Sequence, residues 1–182
     1  MTTNTWNIDP AHSGIHFSIR HMVVSKVRGR FTAYAGSVAL DEADVTRSVV
    51  EATVDASSID TGTPQRDQHL RSADFFDVEK FPQLRFRSTR IEKVDDGRYR
   101  VTGELTIRDV TREVSLDVEY GGRAKDPWGN ERVAFGAKTS VDRKDFGLAW
   151  NQVLEAGGVL VGDRVDIELE VQAVRAAAVE AA

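Results

Sequence analysis

Residues 98–120 read "RYRVTGELTIRDVTREVSLDVEY", and their apolar positions recur every second residue. Tyr99, Val101, Leu105 and Ile107 fall on one side, with Arg98, Arg100, Thr102, Glu104 and Thr106 on the other. Past "RDVT" at 108–111, Val114, Leu116, Val118 and Tyr120 oppose Ser115, Asp117 and Glu119. Successive side chains of a strand point to opposite faces, so this spacing is that of two half-buried strands, where a helix would repeat every three to four residues. The short polar break between them reads as a tight hairpin turn.

The same alternation extends outward in both directions. "GIHFSIRH" (14–21) sets Ile15, Phe17 and Ile19 against His16, Ser18 and Arg20. "RVAFGAKTSV" (132–141) aligns Val133, Phe135, Ala137 and Val141, and "RVDIELEVQAV" (164–174) sets Val165, Ile167, Leu169 and Val171 against Asp166, Glu168 and Glu170. Weaker cases are "RFTAYAGSVAL" (30–40), apolar on both faces, "VVEATVDA" (49–56) and "QLRFRSTRI" (83–91). "DDG" at 95–97 reads as a second tight turn and "AKDPWGN" at 124–130 as a longer one. About eight short strands joined by short turns predict an all-β antiparallel meander. Closing it into a barrel removes its edges, and an eight-stranded barrel either fills with side chains or holds one small ligand. A packed β-sandwich has the same periodicity and stands as the alternative.

Two segments break the pattern. In 60–82, Pro64 suits a first helical position after Thr63, which predicts a helix over 64–71. Ser72 then suits the N-cap of a second short turn, with Asp74 near its positive end. The other break, 143–162, is a connection rich in aromatics and glycine; its "LEAGGVLVG" lacks the Lys and Ser/Thr of a phosphate loop. The terminal "RAAAVEAA" (175–182) has no periodicity and is expected to fray.

The 182 residues, 41% hydrophobic and 29% charged, fit one domain spanning 1–182 with room for a core or an internal cavity. A net charge of -5 argues against nucleic acid as a partner. Arginines are spread over alternating positions, which argues against a strong patch for anionic membranes. The absence of cysteine removes disulfides, thiolate nucleophiles and cysteine zinc sites. The polar start "MTTNTWNIDP" lacks the features of a secretory leader, and no apolar run approaches the roughly 18 residues of a membrane span, so a cytoplasmic protein without an integral membrane segment is expected.

Catalytic signals are weak. His12 and His16, placed on one strand, would lie about 13 Å apart at roughly 3.3 Å per residue and could not share a metal ion. No nucleophile elbow, phosphate loop, dinucleotide fingerprint or H-E-x-x-H motif is present. No catalytic residue, metal or cofactor is assigned. The richest local constellation is "RDQHLRSADFF" (66–76). On a helix Arg66 shares a face with His69 and Leu70, and Asp67 with Arg71 forms an i,i+4 pair contributing about 0.3–0.5 kcal/mol. Leu70, Phe75 and Phe76 would anchor such a helix as a lid.

That segment, with "WNIDPAHSGIHFSIRHMVVSKVRGRFTAYAG", "SSIDTGTPQRDQHLRSADFFDVEKFPQLRFRST", "GELTIRDVTREVSLDVEY", "DPWGNERVAF" and "DRKDFGLAWNQVLEAGGVLVGDRVDIELEV", resembles the YceI-like family of polyisoprenoid-binding proteins. The resemblance runs in register from about Trp6 to Val171, and R-D-x-H-L-R-S-x-D-F-F is its most specific piece. It implies a lipocalin-like eight-stranded antiparallel β-barrel with short helical inserts and an elongated apolar pore that takes a long isoprenoid. Asp109 and Ala134 stand where the family commonly has glycine, which puts a turn in question at the first and a narrowing of the barrel at the second.

The expected function is non-catalytic binding and carriage of a long-chain isoprenoid (polyprenyl phosphate or quinone-like) or similar amphiphilic lipid. The pore wall is expected to comprise Ile15, Phe17, Ile19, Phe75, Phe76, Phe86, Val101, Leu105, Leu116, Phe135, Val141, Phe146, Trp150 and Leu169. Arg20, His21, Arg66, His69 and Arg71 are the candidates for meeting a head group or fixing the lid. The lipid is the only partner expected; a homodimer is compatible with the fold but no sequence feature asks for one. The rival readings are an enzyme acting on a hydrophobic substrate in the same cavity through His, Asp and Arg, and an interaction protein with a filled barrel.

Overall fold

The computed structural model describes residues 3–154 and 158–177. Eleven strands form one antiparallel sheet: β1 (Thr3–Ile8), β2 (Gly14–His21), β3 (Ser25–Phe31), β4 (Tyr34–Asp41), β5 (Val49–Asp55), β6 (Ile59–Asp60), β7 (Gln83–Asp95), β8 (Arg98–Ile107), β9 (Val110–Lys125), β10 (Glu131–Asp142) and β11 (Val161–Arg175). The sheet closes through β1 and β11, so β1, β4, β5 and β7 to β11 make an eight-stranded ring. Closure excludes the sandwich and confirms the expected barrel.

Length explains how three further strands fit. The lower end of β11, Ala173–Arg175, pairs with β1, and its upper part, Val161–Glu170, pairs with β2. β1 and β2 are thus one wall strand interrupted by a 3-10 turn at Pro10–His12. β3 and β4 are a second, broken at Thr32–Ala33, and β5 and β6 a third, broken by a 3-10 turn at Ala56–Ser58. The interruptions lie side by side, and the β2–β3 ribbon continues the wall above them.

The breaks correct several sequence expectations. "RFTAYAGSVAL" is two strands. The two-residue gap advances the alternation by one, so Phe31 and then Tyr34, Val38 and Leu40 all point inward. That phase change is why both faces looked apolar. A bulge between Ser88 and Arg90 does the same in β7, placing Leu84, Phe86 and Ile91 inside together. His12 belongs to the 3-10 turn and His16 to β2, so the straight-strand spacing between them does not apply. In the β8–β9 turn the left-handed residue is Arg108 (φ 57°), not Asp109. Ala134 is not on the inner wall; its methyl packs beside Gly121, and it does not narrow the barrel.

The two-residue turn at Asp96–Gly97 and the longer one at 126–130 form as expected, the latter around Asp126, whose Oδ1 accepts from the backbone N–H of Trp128 and Asn130 at 3.0 and 2.9 Å. Arg175 is paired with Trp6 inside the sheet, so the terminal alanine-rich run begins as strand; residues 178–182 lie outside the described residues, as do 155–157 of the glycine-rich loop.

Two buried clusters mark the ends of the barrel. At the base, Trp6, Val38, Val133 and Ala173 pack together. At the top, Phe31, Ala56, Ile59, Leu84, Ile107, Phe146 and Leu148 form a cluster to which Leu70 and Phe76 add.

Candidate functional site

Between the clusters runs a cavity of about 440 Å³ with almost wholly apolar walls, within the size range of small-molecule sites. Every inward strand contributes alternate residues, as a pleat dictates. All fourteen predicted wall residues line it: Ile15, Phe17, Ile19, Phe75, Phe76, Phe86, Val101, Leu105, Leu116, Phe135, Val141, Phe146, Trp150 and Leu169. The charged faces of the same strands point outward. Two of the phenylalanines reach over glycines of the neighbouring strand. A methyl on Gly29 would sit 2.4 Å from Phe17 Cζ, and one on Gly103 2.6 Å from Phe86 Cζ. Glycine there lets each ring hug the wall, leaving the lumen wider than an alanine would.

The top is covered by helix α1 (Pro64–Arg71) and the turn after it. Pro64 occupies the first turn, as expected. Ser72 ends α1, its hydroxyl donating to His69 O at 2.6 Å, and opens the expected short turn over 73–76, its Oγ accepting from the Asp74 N–H at 3.4 Å and its carbonyl from the Phe75 N–H at 3.0 Å. Asp67 and Arg71 do not pair. Asp67 is buried and its carboxylate accepts from the backbone N–H of Thr61 at 2.9 Å and from the Thr61 hydroxyl. Arg71 donates to Ser57 O at 2.8 Å and Ile59 O at 3.1 Å. The surface pair is therefore replaced by two straps to the 57–61 segment. Arg71 does not line the cavity.

The remaining head-group candidates do. Arg66 lines the cavity while its Nε donates to Thr61 Oγ1 at 2.7 Å and its Nη2 to Thr61 O at 2.8 Å. Arg20 and His21 line it from the top of β2. His69 stands edge-on to Trp150 and Phe75, with ring centroids 4.6 and 5.1 Å away, and its Nε2 lies 2.8 Å from Asp74 Oδ2. Phe76 meets Phe31 edge-on and Phe31 meets Phe17, which continues the aromatic lining into the barrel.

Sequence reading missed Arg143. It is buried beneath the second insert and lines the cavity. It donates to Gly162 O at 2.7 Å, Leu148 O at 2.6 Å and Trp150 O at 2.8 Å, which ties the connection carrying Trp150 to the start of β11. Burial pushes its pKa down, against Asp163 and Asp142, which push it up. Nothing in "DRKD" separates this arginine from its exposed neighbours. Val27, Leu84 and Leu148 were also missed: Leu148 lies in irregular chain, where period two is not visible, whereas Val27 and Leu84 lie in β3 and β7 on the same inward phase as Phe31 and Phe86.

Among the described residues no group of three or more His, Asp or Glu is placed to hold a metal ion, and no helix is long and apolar enough to cross a membrane.

The sequence matches the family model of the YceI-like domain over residues 6–173. A UPF0312 protein of Vibrio cholerae is 36% identical over 165 residues, covering 91% of this chain and 83% of that protein. Among solved structures, BcnA of Burkholderia cenocepacia superposes with a TM-score of 0.80 at 23% identity, over 91% of this chain and 98% of that one. A polyisoprenoid binding domain from Saccharophagus degradans gives 0.68 at 13% identity, over 96% and 100%. At these identities the two structures establish the barrel fold.

Proposed function

The chain belongs to the YceI-like family, and on that premise we propose that it binds and carries a long-chain isoprenoid, or a similar amphiphilic lipid, with the tail in the barrel and the head near the lid. The observation that carries this reading is the cavity itself: an apolar lumen about 440 Å³ in size, bounded by a buried cluster at the base and edged with Arg20, His21, Arg66 and His69 at the top. An apolar wall needs no motif to bind. Each buried CH₂ contributes about 0.8 kcal/mol, so one five-carbon unit contributes several kcal/mol before ordering costs. Arg66 keeps a guanidinium edge at the cavity with no carboxylate in contact among the described residues, which suits a polyprenyl phosphate or the polar ring of a quinone. The description of the Saccharophagus degradans barrel as polyisoprenoid binding agrees with this choice of ligand.

Native mass spectrometry of the purified protein, followed by organic extraction, tests the proposal. A stoichiometric prenyl or other long-chain adduct is expected, and Leu116→Trp, which fills the lumen, is expected to lose it. A clean mass after incubation with prenyl phosphates and quinones would overturn the reading.

A second reading, an enzyme acting on a hydrophobic substrate, is favoured by one contact: His69 lines the cavity and lies 2.8 Å from Asp74, the arrangement of a general base and its orienting carboxylate. Chemical change of the added lipid by the wild type, lost in His69→Gln with binding retained, would select it.

A further inference from the structure

The β2–β3 ribbon ends in a tip that the barrel does not need. Met22 and Val23 occupy successive left-handed positions (φ 54° and 66°), a conformation that asparagine or glycine adopts with little strain and a β-branched residue rarely adopts. Met22, Val23 and Val24 are nonetheless 49, 56 and 89% exposed. Apolar side chains kept in water, in a backbone geometry that disfavours one of them, have no stabilising role in this fold.

The tip does not stand alone. The backbone N–H of Met22 donates to Leu160 O at 2.8 Å, and Gly158 lies against Val23. Val153 and Val159, 79 and 41% exposed, are bridged to each other in the same connection. One apolar rim thus gathers Met22, Val23, Val24, Val153 and Val159. It adjoins the cavity, whose lining includes His21, Leu160 and Val161.

Behind the tip, strand register collects charge that the sequence spreads out. Arg20 faces Lys26 and Ser18 faces Arg28 across the ribbon; Lys26 and Arg28 are exposed on its outer side, and the exposed Arg20 stands at the rim, where it also borders the cavity. Among the described residues none of these three cations forms an ion pair; on the adjoining β11 face Asp166 is held by Arg164 at 2.9 Å and feels Lys26 only through space, and Glu168 approaches Lys138 at 3.8 Å. A local basic cluster on a chain of net charge -5 is therefore available to an anionic surface. Lys and Arg on an exposed strand edge also discourage strand pairing, but that does not account for the apolar tip.

We propose that the β2–β3 tip, with Val153 and Val159 beside it, docks the protein on an anionic lipid bilayer, the apolar side chains entering the head-group layer and Arg20, Lys26 and Arg28 meeting acidic lipids, so that the mouth of the barrel faces the membrane. Apolar insertion with basic residues behind it is the general recipe for interfacial binding. The reason for docking there, exchange of a lipid with the bilayer, rests on the function proposed above; the docking itself is measured without it.

The test is co-sedimentation of the full chain with vesicles of phosphatidylcholine alone and of phosphatidylcholine mixed with phosphatidylglycerol. Binding is expected to the mixed vesicles and to fall with added salt. M22N/V23G/V24S, whose residues suit the turn, is expected to weaken it about tenfold or more, and K26Q/R28Q on the order of thirtyfold. V24N/V153S, which leaves both left-handed positions untouched, serves if the triple variant misfolds and is expected to weaken binding severalfold. No binding by the wild type, or undiminished binding by a folded tip variant, would overturn the proposal. So would concentration-dependent dimerisation that the tip variants abolish without any vesicle binding. Native mass spectrometry of the same variants, loaded with soluble prenyl phosphate, separates the two ideas: lost docking with retained loading leaves the carrier reading intact.

Discussion

The two ends of the barrel solve the same problem in opposite ways. At the base, arginines meet carboxylates: Arg132 donates to Asp9 at 2.7 Å and Asp126 at 2.9 Å, and Glu131 takes Arg175 at 2.6 Å and Arg123 at 3.2 Å. At the lid, arginines meet backbone carbonyls: Arg66 at Thr61, Arg71 at Ser57 and Ile59, and Arg143 at Leu148, Trp150 and Gly162. A carbonyl fixes a guanidinium without cancelling its charge. The base is therefore neutralised, while the lid holds rigid positive groups beside an apolar lumen. The weak 3.8 Å approach of Asp163 to Arg143 changes this little, since Lys144 lies closer to the same oxygen at 3.2 Å.

Trp6 is the point at which the base breaks most easily. It is fully buried, and Trp6→Ala is expected to cost about 3–5 kcal/mol in urea unfolding. A loss under 1 kcal/mol would mean that the base cluster does not hold the ring closed. Arg143→Met is the matching break at the lid. Three carbonyls lose their donor inside the protein, and a cost of about 2–4 kcal/mol is expected. Faster amide exchange at Leu148 to Trp150 should accompany it, with β1 and β4 unchanged.

Between the ends, Gly29→Ala should force the Phe17 ring into the lumen at about 1–3 kcal/mol. Its more telling readout is a shorter preferred lipid chain by competition; unchanged preference would show that the ring moves aside. Arg66→Gln sharpens the contrast further. Stability should change by about 1 kcal/mol or less, while prenyl phosphate binds about tenfold more weakly than before and a neutral prenyl alcohol is unaffected.

A pH dependence at Asp9 probes the base through its charge. Hydrogen bonds from Arg132 and then His12 hold Asp9 down to about 2, below its ordinary value near 3.8. A carboxylate whose pKa is lowered by folding stabilises the protein above its unfolded pKa and ceases to do so as pH falls through the folded one. The stability gap between wild type and Asp9→Asn should thus be constant above about pH 4 and close between 3.8 and 2. A gap that persists below pH 2 would assign Asp9 a role independent of its charge.

The sequence by itself determined the β-architecture and the inner wall. Period two is a local property of the backbone, so a charged outer face and an apolar inner one can be read strand by strand, as in Val101, Leu105, Leu116 and Leu169. It also located the lid helix, because Pro64 and the run of Arg66 to Phe76 interrupt that period visibly. Tertiary structure alone decided what the charges do. Asp67 and Arg71 are spaced for each other yet bond to Thr61, Ser57 and Ile59, since backbone carbonyls and N–H groups held in place by a neighbouring segment outweigh a solvent-exposed pair. Arg143 reaches carbonyls up to nineteen residues away, and Arg20, Lys26 and Arg28 become one cluster only when β2 and β3 fall into register. Burial and pairing depend on which distant segments meet, and a one-dimensional pattern carries that information only where the backbone repeats.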